Sequence, residues 1–172
     1  MAQVSINKVT NANVYIDGGS HLGKAAEIDL PSITQKMAEH VALGMIGSFQ
    51  FPSGVEAMEA RILWNAMYAD VLKKVADPTT VVQMQCRASL ETYTSTGRTQ
   101  APVVVYMNGQ FKTFPGGNFK QHENVEMESM INVFYMKVEI NGEEVVQLDT
   151  FANIYRVGGV DIAAEYRANI GQ

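Results

Sequence analysis

The sequence predicts a mainly β fold with one flanking α-helix and a short C-terminal helix. Two observations predict it. Several segments alternate apolar and polar side chains with period two, as half-buried antiparallel strands do. In addition, Asn141-Gly142 stands between two strand-forming runs, and this dipeptide favours a two-residue hairpin turn because both positions adopt positive φ. No linker or repeat interrupts the 172 residues, so we expect a single domain over residues 1–172.

The first segment, NVYIDGGSHLGKAA (residues 13–26), combines a strand-like run with the spacing G-x-x-x-x-G-K of a phosphate-binding P-loop. Its context argues against nucleotide binding. Ala25 occupies the place of the Ser or Thr that binds Mg²⁺, and the residues that follow, with Pro31, predict a strand instead of a phosphate-binding helix. We therefore expect a hairpin turn in which Gly18 and Gly19 supply positive φ, and no bound cofactor.

Segments between residues 26 and 114 predict further strands. Pro31 marks residues 26–40 as an edge strand or a bulged one, because proline cannot donate to a central ladder. Residues 102–114 predict a strand that bends at Asn108-Gly109. Residues 56–64 and 81–91 alternate well between apolar and polar side chains. The first has the apolar phase Met58, Ala60, Ile62 and Trp64; the second has the polar phase Gln83, Gln85, Arg87, Ser89 and Glu91.

The C-terminal half predicts one very long strand and both helices. Residues 124–140 contain little turn chemistry, so they predict a strand far longer than the usual five or six residues. Residues 65–78 predict the flanking helix, because Met67, Val71 and Val75 recur every four residues and Pro78 ends the pattern. Residues 161–171 predict the short helix, with an N-cap at Asp161 and a stop at Gly171.

Residues 40–55, HVALGMIGSFQFPSGV, are rich in glycine and strongly apolar. Glycine and proline predict a loop, yet about 16 residues exceed the usual ~12–15 of a structureless connection. Two interpretations stay open. The segment folds back as a core strand, or another subunit buries it, since monomers rarely expose a large apolar patch. The side chains at issue are Leu43, Met45, Ile46, Phe49 and Phe51.

Candidate chemical groups are scattered, and none forms a catalytic or metal-binding pattern. The three histidines, His21, His40 and His122, lack ligand partners at i+3 or i+4. No serine has the glycines of a nucleophile elbow, and Glu126 with Glu128 is typical of a solvated strand face. We therefore expect no enzyme activity, catalytic residue or metal.

Charge and apolar content exclude further classes. The formal net charge of −5 argues against a protein that grips nucleic acid directly. The single Cys86 cannot form an intramolecular disulfide, which fits a reducing compartment such as a cytosol. No run approaches the ~20 apolar residues of a membrane span, so we expect no membrane anchoring.

Several motifs together resemble one family, the FII-type major tail tube proteins of contractile-tailed phages, whose relatives form the tubes of R-type bacteriocins. The motif FYMKVEINGEEVVQLD is similar to the long hairpin near the end of that family's chain. In the family's order, the other matching stretches are NVYIDGGSHLGKAAEIDLPSIT, SGVEAMEARI and GGVDIAAEYRANIG. The resemblance runs along nearly the whole chain.

The resemblance implies a β-sandwich-like or barrel-like domain that forms hexameric rings, stacked head to tail into a hollow tube with a shared inner β-barrel. It assigns the inner strands to residues 26–38, 55–64, 102–114 and 124–138. Residues 40–55 become a clamp between subunits and between rings. The polar phase of the inner strands then faces the lumen with Glu59, Arg61, Glu126 and Glu128.

The resemblance also implies partners and a location. The tube lies inside a contractile sheath in the virion, is made and assembled in the host bacterial cytoplasm, and conducts DNA. Its expected partners are further copies of itself, the tail sheath protein, baseplate and tail terminator proteins, the tape measure protein, and DNA in the lumen. Alternatives are a bacteriocin tube with an empty lumen, a secretion-system tube that carries effectors, and a monomeric β-barrel that binds a small ligand.

Overall fold

A computed structural model of the chain describes residues 4–172. Strands dominate it, so the predicted mainly β class is confirmed. The elements are, in chain order, β1 (Ile6–Ile16), β2 (Gly19–Ser20), β3 (Ala25–Asp29), β4 (Gln35–His40), β5 (Phe49–Val55), β6 (Met58–Trp64), α1 (Ala69–Val75), β7 (Val82–Thr94), β8 (Gly97–Phe111), β9 (Met127–Ile140), β10 (Glu143–Asp149), β11 (Ile154–Val157), β12 (Val160–Asp161) and α2 (Ala164–Asn169).

A 10-stranded antiparallel sheet branches at β9. One edge of β9 pairs with β8, and the other edge pairs first with β6 and then with β10. Beyond β8 the sheet continues through β7, β1 and β2; beyond β6 it continues into β3; beyond β10 it continues into β11 and β12. Strands β4 and β5 form a separate two-stranded sheet.

One hydrophobic core lies against the apolar faces of these strands. The predicted alternation of β6 is confirmed: Met58, Ala60, Ile62 and Trp64 are buried, whereas Glu59 is exposed. In β7 the alternation holds through Cys86 and then fades, with Leu90 half-buried. Helix α1 covers the core with Val71 and Val75. The core therefore forms where period-two strands from distant parts of the chain turn their apolar phases toward one another.

The predicted hairpin turn at Asn141-Gly142 is confirmed, with φ of 54° and 81°. The expected bend in β8 is confirmed as a register shift between Asn108 and Gly109. A Cβ at Gly109 would lie 2.5 Å from the backbone oxygen of Asn132, so only glycine allows the neighbouring strand this close. The long strand predicted at residues 124–140 is β9, which begins only at Met127.

Several strand predictions were wrong in detail. Residues 26–40 do not form one strand, because β3 ends at Asp29 and β4 begins at Gln35, with Pro31 in the break. Proline has no N–H to continue the ladder with β6. At the first turn, positive φ falls on Asp17 (49°) and Gly18 (78°), not on Gly19, which pairs with Ile16.

Both helices are shorter than predicted. Helix α1 begins after Tyr68, so Met67 lies outside it and is 46% exposed. Asp161 is not the N-cap of α2, because it belongs to β12 and Ala163 holds the cap position. Its carboxylate instead accepts the N–H of Ala163 at the start of α2 and pairs at 2.6 Å with Arg167 in the last turn of that helix.

Candidate functional site

The apolar segment at residues 40–55 is a β-hairpin that stands apart from the main sheet. His40 pairs with Phe49, so residues 41–48 form its tip and residues 49–55 are a strand, not the loop expected from glycine and proline. Along both strands only Val55 is even half-buried. The interpretation that this segment folds back as a core strand of its own subunit is therefore wrong.

The hairpin exposes apolar surface along its tip and β5, and its charged residues, Lys36 and Glu39, lie on β4. Leu43 and Ile46 are fully exposed, and Met45, Phe49 and Phe51 keep about half of their surface in solvent. The rings of Phe49 and Phe51 meet edge to face at 4.7 Å, and residues 41–55 contain no Asp, Glu, Lys or Arg. A contiguous apolar patch of this kind marks a protein-interaction site.

The second candidate surface is a charged face, formed on the solvent side of β3, β6, β9 and the end of β8. Arg61 lies at its centre and donates hydrogen bonds to Asp29 at 2.6 Å, Glu128 at 3.0 Å and Glu27 at 3.0 Å. These hydrogen bonds, with Asp29 the strongest contributor, raise the pKa of the Arg61 guanidinium. Arg61 is therefore held as a permanent cation among three carboxylates from two strands, β3 and β9.

The charged face contains the residues predicted to share a polar phase. Glu59 and Arg61 lie on the exposed side of β6, and Glu128 lies on the same side of β9, diagonal to Arg61. Glu126 is also exposed but precedes the first residue of β9. Glu59 is paired with Lys112 beyond the end of β8.

Sequence reasoning missed Glu27, Asp29 and Lys112 as members of this face. Glu27 and Asp29 do alternate along β3, which is the available signal. Their meeting with Arg61 depends on β3 pairing with β6, more than thirty residues later, and no local pattern reports that pairing.

The residues around the P-loop look-alike have structural partners. Lys24 pairs with Asp70 at 2.6 Å and lies over the ring of Tyr68 at 5.1 Å from its centroid. Strand β3 begins at Ala25, directly after this lysine, so the glycines do not open a helix toward a phosphate. The segment joins the first hairpin to β3 and α1.

Between residues 4 and 172, no group of three or more His, Cys, Asp or Glu side chains is placed to hold a metal ion. No helix in that range is long and apolar enough to cross a membrane.

Comparison with known proteins gives a consistent result along the chain. Residues 6–171 match the family described as phage tail tube protein FII. The chain is 30% identical over 167 residues to the tail tube protein of Escherichia phage P2, covering 95% of this chain and 96% of that protein. It is 24% identical over 151 residues to the major tail tube protein of Serratia phage KSP20, covering 87% of this chain and 86% of that protein.

Proposed function

The chain belongs to the phage tail tube protein FII family and is a structural subunit of a phage tail tube, and we propose that it builds this tube from hexameric rings stacked head to tail. The observation that carries the proposal is the family match across residues 6–171. The subunit acts as one domain over the whole chain and performs no catalysis.

Unpaired strand edges support ring closure through a shared sheet. Strands β3, β6, β9 and β8 lie side by side in that order. In the described chain β3 pairs only with β6, and β8 pairs with β7 no further than Gly109. Pairing of β3 in one subunit with the end of β8 in the next would continue the sheet around the ring. A closed barrel of this kind removes both exposed edges.

This arrangement revises the expected inner strands. Residues 30–38 leave the inner sheet, because β4 belongs to the separate hairpin, and residue 55 belongs to β5. The inner strands become β3, β6, the end of β8 and the first half of β9. The hairpin, with Leu43, Met45, Ile46, Phe49 and Phe51, is left outside the barrel to contact other subunits.

The charged face lines the lumen in this proposal. Acidic residues outnumber basic ones on this face. The basic residues are Arg61 and Lys112, and the acidic residues are Glu27, Asp29, Glu59, Glu126 and Glu128. Nucleic-acid binding rests largely on cations that neutralise phosphates. A wall with excess carboxylates, whose central cation is already paired, lets DNA pass without adhering.

The tube forms part of a virion tail. The subunit assembles in the host bacterial cytoplasm. It associates with a contractile sheath protein, baseplate and tail terminator proteins, the tape measure protein, and DNA in the lumen. Both relatives are phage proteins, which favours a DNA conduit over a bacteriocin or secretion tube.

Negative-stain electron microscopy of the concentrated purified protein tests the proposal. We expect hollow rings with sixfold symmetry and stacks of such rings. A protein that sediments as a monomer at every concentration would contradict it, and is what a small-ligand-binding barrel would give.

A further inference from the structure

The dipeptide Asn-Gly occurs twice in the chain, in two contrasting places. Asn141-Gly142 forms the turn between β9 and β10, where both residues are exposed and have positive φ, 54° and 81°. Asn108-Gly109 lies inside β8, which pairs there with β7 on one side and with β9 on the other. The same chemical motif is thus present once in solvent and once within a three-stranded ladder.

An asparagine followed by glycine reacts in water without an enzyme. The backbone nitrogen of the glycine attacks the side-chain Cγ of the asparagine, the Cγ–Nδ2 bond breaks, and ammonia leaves with the proton of that nitrogen. Glycine favours this attack, because it has no side chain to restrict the backbone. Water then opens the resulting cyclic imide. Opening at the side-chain carbonyl gives aspartate, and opening at the main-chain carbonyl gives isoaspartate.

The turn leaves Asn141-Gly142 free to react. Among residues 4–172 no acceptor takes up the backbone N–H of Gly142. No atom beyond its chain neighbours lies within 4 Å of the position that a Cβ on Gly142 would occupy. The β9–β10 register pairs Ile140 with Glu143, so the two turn residues are outside the ladder. Ring closure at Asn141 therefore needs a rotation of the turn alone.

The second Asn-Gly is held by the sheet. Asn108 lies between Gln83 and Tyr135 on the neighbouring strands, and Gly109 is buried. A Cβ at Gly109 would already lie 2.5 Å from the backbone oxygen of Asn132, so the backbone here has no room to rotate. Ring closure at Asn108 needs the strands to separate. Such an opening of a central strand costs much more free energy than the fraying of an exposed turn.

The two products at residue 141 differ in their effect on the fold. Aspartate keeps the turn, because Asp-Gly favours the same turn type as Asn-Gly. Isoaspartate lengthens the main chain between Ile140 and Gly142, since the chain then runs through the former side chain. The pairing of Ile140 with Glu143 and the 2.8 Å hydrogen bond from the Asn141 N–H to the Pro102 carbonyl both depend on the original spacing.

We propose that Asn141 is a site of spontaneous deamidation, that its isoaspartyl form opens the β9–β10 turn, and that the fold protects Asn108 from the same reaction. The inference concerns the single subunit and does not depend on ring formation. A virion makes no new protein, so tail tube subunits altered in this way are not replaced. The altered fraction increases with the age of the particle.

Peptide mapping by mass spectrometry tests the site. One portion of the purified protein is incubated folded in mildly alkaline buffer, and another is incubated unfolded in urea. An isoaspartyl methyltransferase labels isoaspartate. In the folded protein we expect residue 141 to convert at least about tenfold faster than residue 108, the ratio given by a difference of ~1.4 kcal/mol in opening free energy. In urea the two rates should be similar. Comparable rates in the folded protein would overturn the proposal, as would urea accelerating both residues equally.

Asn141→Gly provides the matched control, because Gly-Gly accommodates the same turn and carries no side-chain amide. Urea denaturation compares fresh and aged samples of both proteins. We expect a fraction with a lower midpoint in the aged unmodified protein and none in aged Asn141→Gly. An unchanged midpoint in aged protein that contains isoaspartate at residue 141 would overturn the opening of the turn. An equal loss of stability in Asn141→Gly would assign the damage to other residues and overturn it as well.

Discussion

The indole N–H of Trp64 donates a 3.0 Å hydrogen bond to the hydroxyl of Ser129, and both side chains are fully buried. Trp64 lies on β6 and Ser129 on β9, and the register places them diagonally because Ile62 faces Ser129. The opposite face of the same two strands carries Arg61 and Glu128. The buried bond thus fixes the strand pair that presents the charged face.

Ser129→Ala should destabilise the subunit by ~1–3 kcal/mol, because it leaves the indole N–H buried without an acceptor. Urea denaturation of the unassembled protein measures this loss. The exposed Ser53→Ala serves as the control and should change little. In the double variant with Trp64→Phe, the loss in free energy of unfolding should be smaller than the sum of the losses in the two single variants. Simple additivity would show that the hydrogen bond contributes nothing.

Gly142→Val should also lower the free energy of unfolding, by about 1–3 kcal/mol, because it forces a β-branched residue into positive φ. The φ of Gly142 is 81°, and open space surrounds its position. Gly116 is a matched control, since it too has open space but no positive φ. We expect lower soluble yield and fewer tubes for Gly142→Val than for Gly116→Val. Equal behaviour of the two variants would argue against the strained turn.

Lowering the pH should destabilise the fold through His21, which is 4% exposed and packs against Trp64. Burial lowers its pKa below the usual 6.5; Lys24 and Lys74 add to the effect, and Asp70 and Asp17 oppose it. Between the two pKa values the unfolded chain binds more protons than the folded chain. The stability contribution is therefore complete above about pH 6.5 and is lost as the pH falls toward the folded-state value.

Denaturation midpoints measured across this pH range test the effect of His21. We expect His21→Phe to flatten the pH dependence below neutrality, because an apolar ring does not titrate. His122→Asn is the control: His122 is exposed and has a φ of 62°, which asparagine tolerates. An unchanged slope in His21→Phe would assign the acid sensitivity to other groups.

Local patterns in the sequence were sufficient for much of the fold. Period-two alternation identified the buried face of β6, and Asn141-Gly142 located the β9–β10 turn because few residues adopt positive φ. The same alternation placed Glu91 on a wet face, yet it is only 6% exposed. Hydrogen bonds from Tyr93 on the same strand and from Arg98 and Gln100 on β8 cover it, and the last two depend on the β7–β8 register.

The candidate surfaces could be predicted only in part from the sequence, because they too depend on tertiary pairing. Composition alone showed that residues 40–55 were too apolar for water. Composition could not decide between a core strand and an exposed hairpin. Both explain the apolar side chains, since the first buries them in the same subunit and the second against another subunit. The choice depended on β4 leaving the main sheet after the break at Pro31, which is a tertiary event.

Phe49→Ser with Phe51→Ser should abolish polymerisation and leave the subunit folded. Fully burying a phenylalanine contributes ~1.5–3 kcal/mol, and a tube would lose this at every contact. Circular dichroism should match the unmodified protein, because neither ring belongs to the core. Sedimentation and electron microscopy measure assembly. Phe114→Ser with Phe119→Ser, also exposed, is the control and should still polymerise. Normal tubes from the hairpin variant would show that this hairpin makes no contact needed for polymerisation.

Glu126→Gln with Glu128→Gln should leave ring formation intact and change how DNA moves through the tube. Both carboxylates are exposed on the side opposite the core. Arg61 keeps Asp29 and Glu27 as partners when Glu128 loses its charge, so the strand pairing should hold. In the proposed lumen, removing two negative charges reduces the repulsion between the tube wall and the DNA phosphates. In phage carrying the variant, we expect slower DNA ejection that higher salt restores, because screening weakens charge contacts.

Glu165→Gln on α2 is the control for Glu126 and Glu128, since Glu165 is an exposed acid on a separate element. It should leave ejection unchanged if position, and not net charge, decides the outcome. Equal slowing by the control would assign the effect to overall charge. Failure of the Glu126 and Glu128 variant to form rings would place these carboxylates in a subunit interface. A one-residue slip of strand phase could not explain that failure. Such a slip exchanges the two faces of a strand. The residues on either side of Glu128 are Met127 and Ser129, and both are buried in the core of the subunit itself.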